Sequence, residues 1–581
     1  MCLDAVREAA LKYALQNAVR HDGRAMVKPV LNKIFGEMPE ARRRVREVKA
    51  IVEEVVREVN AMTIEKQRSM LEERWPEALE ARRVEEKGLP PLPNVEKYRR
   101  VVTRFAPNPD FVLTLGNARP AILSYEYARM YRGEFILRFE DTDPKTKTPI
   151  LEAYELIRED LGWLGLKWDR EYVQSLRMPV YYMLARELLE RGGAYVCTHS
   201  PGELRELRAK GRRCKCAGLP LEDQLERWDR MISGGYGEGE AVLRVKTDPR
   251  HPDPSVRDWV AFRIIDTSVH PHPVTGDKYC VWPTYNFAAA VDDHLMGVTH
   301  ILRAKEHISN TVKQKFLYGH FGWRYPETIH FGRLKLEGTI LSKSKMRAGI
   351  SAGRYLGWDD PRLGTLRALR RRGFYPETIW EIIMDVGVKS SEATISLSNI
   401  YAVNRRRLED EADRYMFTPN PVLLTVKGVR TETEVKLPYH PSHPERGIRV
   451  IRLIPREGAV KVYLALGDLA SFREGDVVRL MGFANVRLVK VARDGGVAEF
   501  HSCSVEDARA LNAPIIQWCP LDGVRVSVLK PERDELRVIE GLAEPAVASL
   551  KPETRIQFFR FGFVKVEKVG RGEIGCVYIH D

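Results

Sequence analysis

Two short apolar strands flanking one helix restrict this chain more than any other feature. Residues 101–105 read as a strand, 116–131 as a helix and 135–139 as a second strand, followed by the turn-forming Asp141-Thr142-Asp143-Pro144. A helical crossover between neighbouring strands makes them parallel. Open parallel sheets place ligands outside the carboxyl ends of their strands. The chain is therefore expected to be α/β, with a nucleotide site near residues 105–117. Strand-like runs near Val281 and across residues 300–302 are expected to extend the same sheet.

The flanking sequence has a different texture. Residues 1–87 read as helices, with Val45, Val48, Val52, Val55 and Val59 at alternating spacings of three and four on one stripe. A small bundle is the ordinary reading and a protein-docking surface the sharper one. GLPPLPN (88–94) ends helix formation and reads as a linker. The segment 190–280, rich in Gly, Pro and charge, reads as an insertion. Helical pattern returns over 356–404. Beyond Tyr415, short alternating segments such as Val477-Val478-Arg479-Leu480 point to β-barrels.

Length and charge set the outer limits. At about 100–200 residues per domain, 581 residues suggest three to five domains. No apolar run approaches the ~20 residues needed to cross a bilayer. The first residues mix acidic, basic and apolar types, unlike a secretory or transit segment, so a cytoplasmic location is expected. The formal net charge of +13, from 93 basic and 80 acidic residues, fits either a polyanionic partner or a surface laced with ion pairs. Eight cysteines are too irregularly spaced for a disulfide framework.

Two stretches carry chemistry. In RFAPNPD (104–110), Pro107 and Pro109 fix a loop that leads through Thr114-Leu115-Gly116-Asn117 into a helix. Gly116 lets a flat ring approach the backbone, and the helix N-terminus favours phosphate. Far downstream, 333–338 (RLKLEG) looks like a hairpin leading into a flexible polar loop, 341–345 (LSKSK). Its lysines offer mobile charges for a triphosphate. A solvated basic turn is the commoner meaning of an isolated Lys-x-Lys.

Taken in order, RFAPNPDFVLTLGNARPAILSYEYARMYRGEFILRFEDTDP, WPTYNFAAAVDDHLMGVTHILRAKEH and FGRLKLEGTILSKSK resemble the glutamyl-tRNA synthetases of archaeal type, class I enzymes of the glutamate/glutamine subgroup. The similarity runs from Tyr98 to the C-terminus and includes LGWDDPRLGTLRALRRRG. It implies a Rossmann-like catalytic domain with an inserted acceptor-binding domain, an N-terminal helical extension, a helical connector and C-terminal β-barrels. The expected division is 1–97 extension and linker, 98–190 first catalytic half, 191–280 acceptor-stem-binding insert, 281–355 second catalytic half, 356–412 connector and 413–581 anticodon-binding barrels.

The resemblance further implies ATP with Mg2+, L-glutamate and tRNA(Glu) as reactants, and leaves open whether tRNA(Gln) is also charged. By similarity, Asn108, Pro109, Asp110, Thr114, Leu115, Gly116 and Asn117 line the ATP site, with Arg333, Leu334, Leu341, Ser342 and Lys343 closing over it. Lys343 would stabilise the transition state, supported by Ser342 and Lys345. Thr114 and Asn117 stand where the family motif has histidines, and Ile340 stands where the second motif has its first lysine.

Arg104, Glu140, Tyr285 and Arg303 fall in the amino-acid pocket by similarity. A dicarboxylic substrate needs cationic partners, and arginine suits a planar carboxylate. Glutamine-using relatives tend to lack an arginine at position 303, so its presence points to glutamate; the alternative for Arg303 is a buried ion pair with Asp292 or Glu306. Cys197, His199, Cys214 and Cys216 form two closely spaced pairs that could hold a structural Zn2+, or stand as free thiols beside a surface histidine. The run Arg405-Arg406-Arg407 suits phosphate contact or a solvated face. Rival functions are a glutamine-specific synthetase and a non-catalytic tRNA-binding relative.

Overall fold

The computed structural model describes residues 3–20, 23–75, 88–337 and 342–581. The chain forms two compact units, Met1–Gly88 and Leu89–Asp581. In the first, helices Leu3–Arg20, Val27–Glu37, Val45–Asn60 and Ile64–Arg74 enclose a small core. Val48, Val52, Val55 and Val59 are buried as their spacing predicts, and Val56 joins them. Val45 is 47% exposed because it opens its helix at the margin of that core. The buried Gln67 amide donates to the carbonyls of Val59 (2.8 Å) and Gly23 (2.9 Å), tying the last helix to two turns.

The second unit is organised by a parallel sheet in the order Val102–Phe105, Glu134–Phe139, Arg170–Val173. Helix Leu115–Met130 crosses between the first two strands, so the elements read from sequence hold to within a residue. Gly133 permits the tight return: a Cβ there would lie 2.2 Å from the Val101 carbonyl oxygen. Strand His300–Ala304, expected to extend this sheet, instead pairs in parallel with Glu327–Phe331 as a separate two-stranded sheet. Thr299 ties it to the first strand, its N–H donating to Val102 O (2.9 Å) and its hydroxyl accepting from Val102 N–H (2.8 Å).

The expected strand near Val281 does not extend this sheet. Val281–Pro283 edges a four-stranded antiparallel sheet with Ala194–Cys197, Val242–Val245 and Val260–Ile264. Trp282 is fully buried there, in one core with Phe262 and Trp228. A short apolar run states that a strand will be buried, but not in which sheet.

Two further readings change. The 88–94 stretch is a strap rather than a free linker. Leu89 and Leu92 are buried in the α/β core, the Pro90 carbonyl accepts from Tyr127 OH (2.9 Å), and Leu92 N–H donates to Tyr131 OH (2.9 Å). In the stretch read as a hairpin, the described residues Leu334–Glu337 pair in parallel with the distant Ala393–Ser396, which leads into the last connector helix.

Helices Leu366–Arg372, Pro376–Val386 and Leu397–Glu411 lead to the barrels. One continuous stretch closes the seven-stranded sheet. Asp413–Tyr415 pairs with Arg555–Phe558 at one edge and Phe417–Pro419 with Glu535–Ala543 at the other. In the six-stranded sheet the outer strand Ala459–Ala465 meets the far end through Tyr463 and Cys519, whose N–H groups donate to each other's carbonyls at 2.7 and 2.9 Å. Closure leaves few unpaired edges. No helix among the described residues is long and apolar enough to cross a membrane.

Candidate active site

A cavity of about 830 Å³ opens at the carboxyl ends of the parallel strands. Arg104 lies at the end of the first strand, Glu140 directly after the second, and Arg303 near the end of His300–Ala304. All three line the cavity, as do Tyr285, Asn108, Thr114, Gly116, Asn117, Arg333, Leu334 and Lys343. Residues drawn from the whole span 104–343 thus meet in one cleft.

Arg303 is 5% exposed. Its Nη2 donates to Thr311 Oγ1 (2.6 Å), Gln314 Oε1 (3.1 Å) and Tyr325 OH (2.8 Å), which hold the guanidinium in place. Its Nε and Nη1 are buried with no hydrogen-bond partner among the described residues. The ion-pair alternative fails on geometry. Asp292 accepts from Arg177 (2.9 Å), Gln174 (3.0 Å) and Tyr181 (2.7 Å), while Glu306 lies 3.7 Å from Arg333. A buried guanidinium with two idle donors is costly unless an anion meets it.

A charge network absent from the sequence reading lies beneath the pocket. Asp293 Oδ1 accepts from Arg104 Nε (3.1 Å) and Arg138 Nη1 (2.8 Å), and Arg138 Nη2 donates to Glu140 Oε1 (2.9 Å). Burial works against the Asp293 carboxylate, but Arg104 and Arg138 outweigh it and hold its pKa below the ordinary value. Burial pushes the Glu140 carboxyl up despite Arg138 and Arg104. Two consecutive acids, Asp292 and Asp293, inside the apolar helix Tyr285–Leu295 were the available signal. Burial, then Arg303 and Arg104, push His307 down to about 4, leaving it neutral near pH 7.

Thr114 and Asn117 engage each other: Asn117 Oδ1 accepts from the Thr114 N–H (3.0 Å) and hydroxyl (2.9 Å), capping helix Leu115–Met130. Asn108 Oδ1 is buried and without a partner. Lys343 Nζ donates to Asp110 Oδ1 at 3.0 Å, joining segments 233 residues apart. Lys343 opens the helix Lys343–Ser351, so this part of the expected flexible loop is helical.

Other expected residues fall outside the cavity lining. Leu115 is core, its N–H donating to the Gly364 carbonyl (3.2 Å), and Pro109 is buried behind the loop. Ser342 precedes the helix with its hydroxyl 3.2 Å from that of Ser344, and Lys345 is exposed. Leu341 and Ile340 lie outside the described residues. Arg405 pairs with Glu409, and Arg406 and Arg407 share Glu381, so the triple-arginine run is satisfied within the chain.

In the inserted region, the ligand atoms of Cys197, His199, Cys214 and Cys216 all lie within 4.8 Å of one another. Cys214 Sγ is 3.6 Å from Cys197 Sγ and 3.2 Å from His199 Nδ1, and Cys216 Sγ is 3.3 Å from that nitrogen. Tetrahedral zinc with its usual bond lengths places such donors roughly 3.5–3.8 Å apart.

Residues 100–410, which contain the whole cleft, match the family described as tRNA synthetases class I (E and Q), catalytic domain. The chain belongs to this synthetase family. Residues 412–506 and 515–567 of the synthetase match its two anti-codon binding domains. Among relatives, the glutamate--tRNA ligase of Hyperthermus butylicus is 54% identical, covering 97% of this synthetase and 100% of the relative. That of Pyrobaculum calidifontis is 55% identical over 99% and 100%.

Proposed function

We propose that this synthetase is a glutamate--tRNA ligase, which activates L-glutamate with ATP and transfers it to the terminal adenosine of tRNA(Glu). The observation that carries the reading is Arg303, which lines the cleft and whose buried Nε and Nη1 have neither a hydrogen-bond partner nor a carboxylate at ion-pair distance among the described residues. The side-chain carboxylate of glutamate supplies the missing charge. A neutral amide would leave the guanidinium uncompensated. Arg104 would bind the second carboxylate, Glu140 would accept from the ammonium, and Tyr285 would contact the side chain.

The attacking carboxylate is already ionised, so the chain's task is positioning and charge stabilisation. Asn108, Gly116, Arg333 and Leu334 line the part of the cleft assigned to ATP. Lys343 would leave Asp110 to follow charge developing on the phosphates. Mg2+ would enter with the nucleotide, neutralising phosphate charge. The inserted module would receive the acceptor end and the barrels the anticodon.

The deciding experiment charges total tRNA with labelled glutamate and, separately, labelled glutamine, and identifies the acceptors. Strong glutamate transfer to tRNA(Glu) with negligible glutamine transfer is expected; preferential glutamine transfer would exclude the reading. The same assay reports any charging of tRNA(Gln).

The Cys3His group is proposed to hold a structural Zn2+, for which its soft and borderline donors and their spacing are suited. About one equivalent of zinc should survive dialysis at neutral pH, and Cys216→Ser should cut retention at least ~tenfold. Retention below about a tenth of an equivalent by the unaltered protein would remove the metal from the proposal.

A further inference from the structure

The inserted module has a second cavity, of about 680 Å³, bordered by Arg205, Arg208, Arg244 and Arg257 and floored by apolar residues including Leu204 and Val242. Its arginines are unusual in what they lack. Arg208 Nη2 and Arg244 Nη1 both donate to the Asp258 carbonyl (3.1 and 2.8 Å). Arg257 donates to the carbonyls of His251 (2.6 Å) and Arg208 (2.7 Å). Among the described residues, none of these three meets a carboxylate at ion-pair distance. Arg244 is 6% exposed, and its Nε is buried without a partner.

The Asp258 carboxylate is already engaged by Arg213 (2.9 Å), Tyr195 OH (3.0 Å) and Thr247 N–H (2.8 Å). Burial first lowers the pKa values of nearby Lys246 and Lys313; Arg213 adds to the shift at Lys246, while at Lys313 Asp253 opposes it and Arg208 adds to it. Zinc on the adjacent Cys3His group would contribute one net negative charge, from three thiolates and a dication. The five guanidiniums of Arg205, Arg208, Arg213, Arg244 and Arg257 would still outnumber the charges of Asp258, Asp253 and the metal group. Carbonyl oxygens fix the direction of the Arg208, Arg244 and Arg257 donors without neutralising them, so the cavity wall carries oriented positive charge in excess of its carboxylates.

We propose that this cavity binds the phosphate of a nucleotide, with the apolar floor against the base or ribose. Arginine's planar donor fork suits phosphate oxygens, and an apolar surface beside it suits an unstacked nucleotide. The phosphate could belong to an RNA strand or to a free mononucleotide. The first source builds on the ligase reading and gives the inserted module a definite point of attachment; the second does not depend on it.

The test uses the full chain, a fluorescent RNA hairpin with a single-stranded 3′ end, and AMP. Arg205→Glu reverses an exposed charge at the rim, and Arg208→Gln removes a charge while keeping a donor for the Asp258 carbonyl. Each should weaken hairpin binding about tenfold and lower the slope of log affinity against log salt by about one, with the thermal midpoint unchanged. A loss of hairpin binding that AMP cannot mimic by competition assigns the site to RNA. A loss of AMP binding alone assigns it to a free nucleotide. Unchanged binding of both probes in both variants overturns the proposal. Charging at saturating tRNA separates the two readings: intact charging with unchanged probe binding sinks only the cavity, and absent charging with the expected probe losses sinks only the ligase.

Discussion

Replacing Arg303 with glutamine is expected to lower kcat/KM for glutamate by about 10²–10³, most of it through KM. The magnitude follows from burial. In the cleft the substrate side-chain carboxylate would lose water and gain the Arg303 Nε and Nη1 donors, which have no hydrogen-bond partner among the described residues. Removing one partner of such a buried, hydrogen-bonded pair costs roughly 2–5 kcal/mol, because the remaining charge stays desolvated and unmatched. Glutamine at position 303 can still reach toward Thr311, Gln314 and Tyr325, so the surrounding helix Ile308–Phe321 should keep its packing. The KM for ATP should change little, and the preference for glutamate over glutamine should shrink by a similar factor. An unchanged glutamate KM, measured with tRNA and ATP saturating, would remove Arg303 from the pocket.

The nucleotide site's place was legible in the β-α-β unit, whereas Arg104, Glu140 and Arg303 were assigned to the pocket by family similarity; the strands that carry them explain why they line one cleft. What the sequence left hidden are the partners that hold those groups. Asp293 lies one helical segment before Arg303 and Arg138 lies in mid-strand; only the folded chain shows that one carboxylate oxygen serves both Arg104 and Arg138. Local pattern also misjudged sheet membership. Residues 334–337 look like half of a hairpin, yet their partner is Ala393–Ser396, because hydrogen-bond register is settled by long-range packing of the connector. The 88–94 stretch shows a related limit. Prolines reveal that no helix passes through, but the burial of Leu89 and Leu92 depends on the helix Leu115–Met130 that they cover.

The motif departures have a physical reading. Family histidines would bring donors toward phosphate, whereas Thr114 and Asn117 satisfy each other and brace the helix N-terminus. These bonds fix the backbone that leads into Gly116, and neither side chain carries positive charge. Lys343, which lines the cleft and donates to Asp110, is the cation proposed to supply that charge, while Lys345 is exposed.

Lys343→Ala should therefore slow single-turnover glutamate transfer, assayed with tRNA present, by about 10²–10³ while leaving the tRNA dissociation constant within about twofold. The Lys343–Asp110 pair is only partly buried, with side-chain exposures of 35% and 18%. Such a pair contributes about 1 kcal/mol or less, so its loss should leave the thermal midpoint nearly unchanged and its opening should offer little resistance when a triphosphate arrives. The ammonium gains most where negative charge grows on the α-phosphate and departing pyrophosphate, so its effect falls on the rate more than on ground-state ATP affinity. Lys343→Arg, which keeps the charge but changes its shape and reach, should recover part of the loss. Equal losses in transfer rate and tRNA affinity would instead make Lys343 an RNA contact, and an unaltered rate would leave the transition-state charge without its proposed partner.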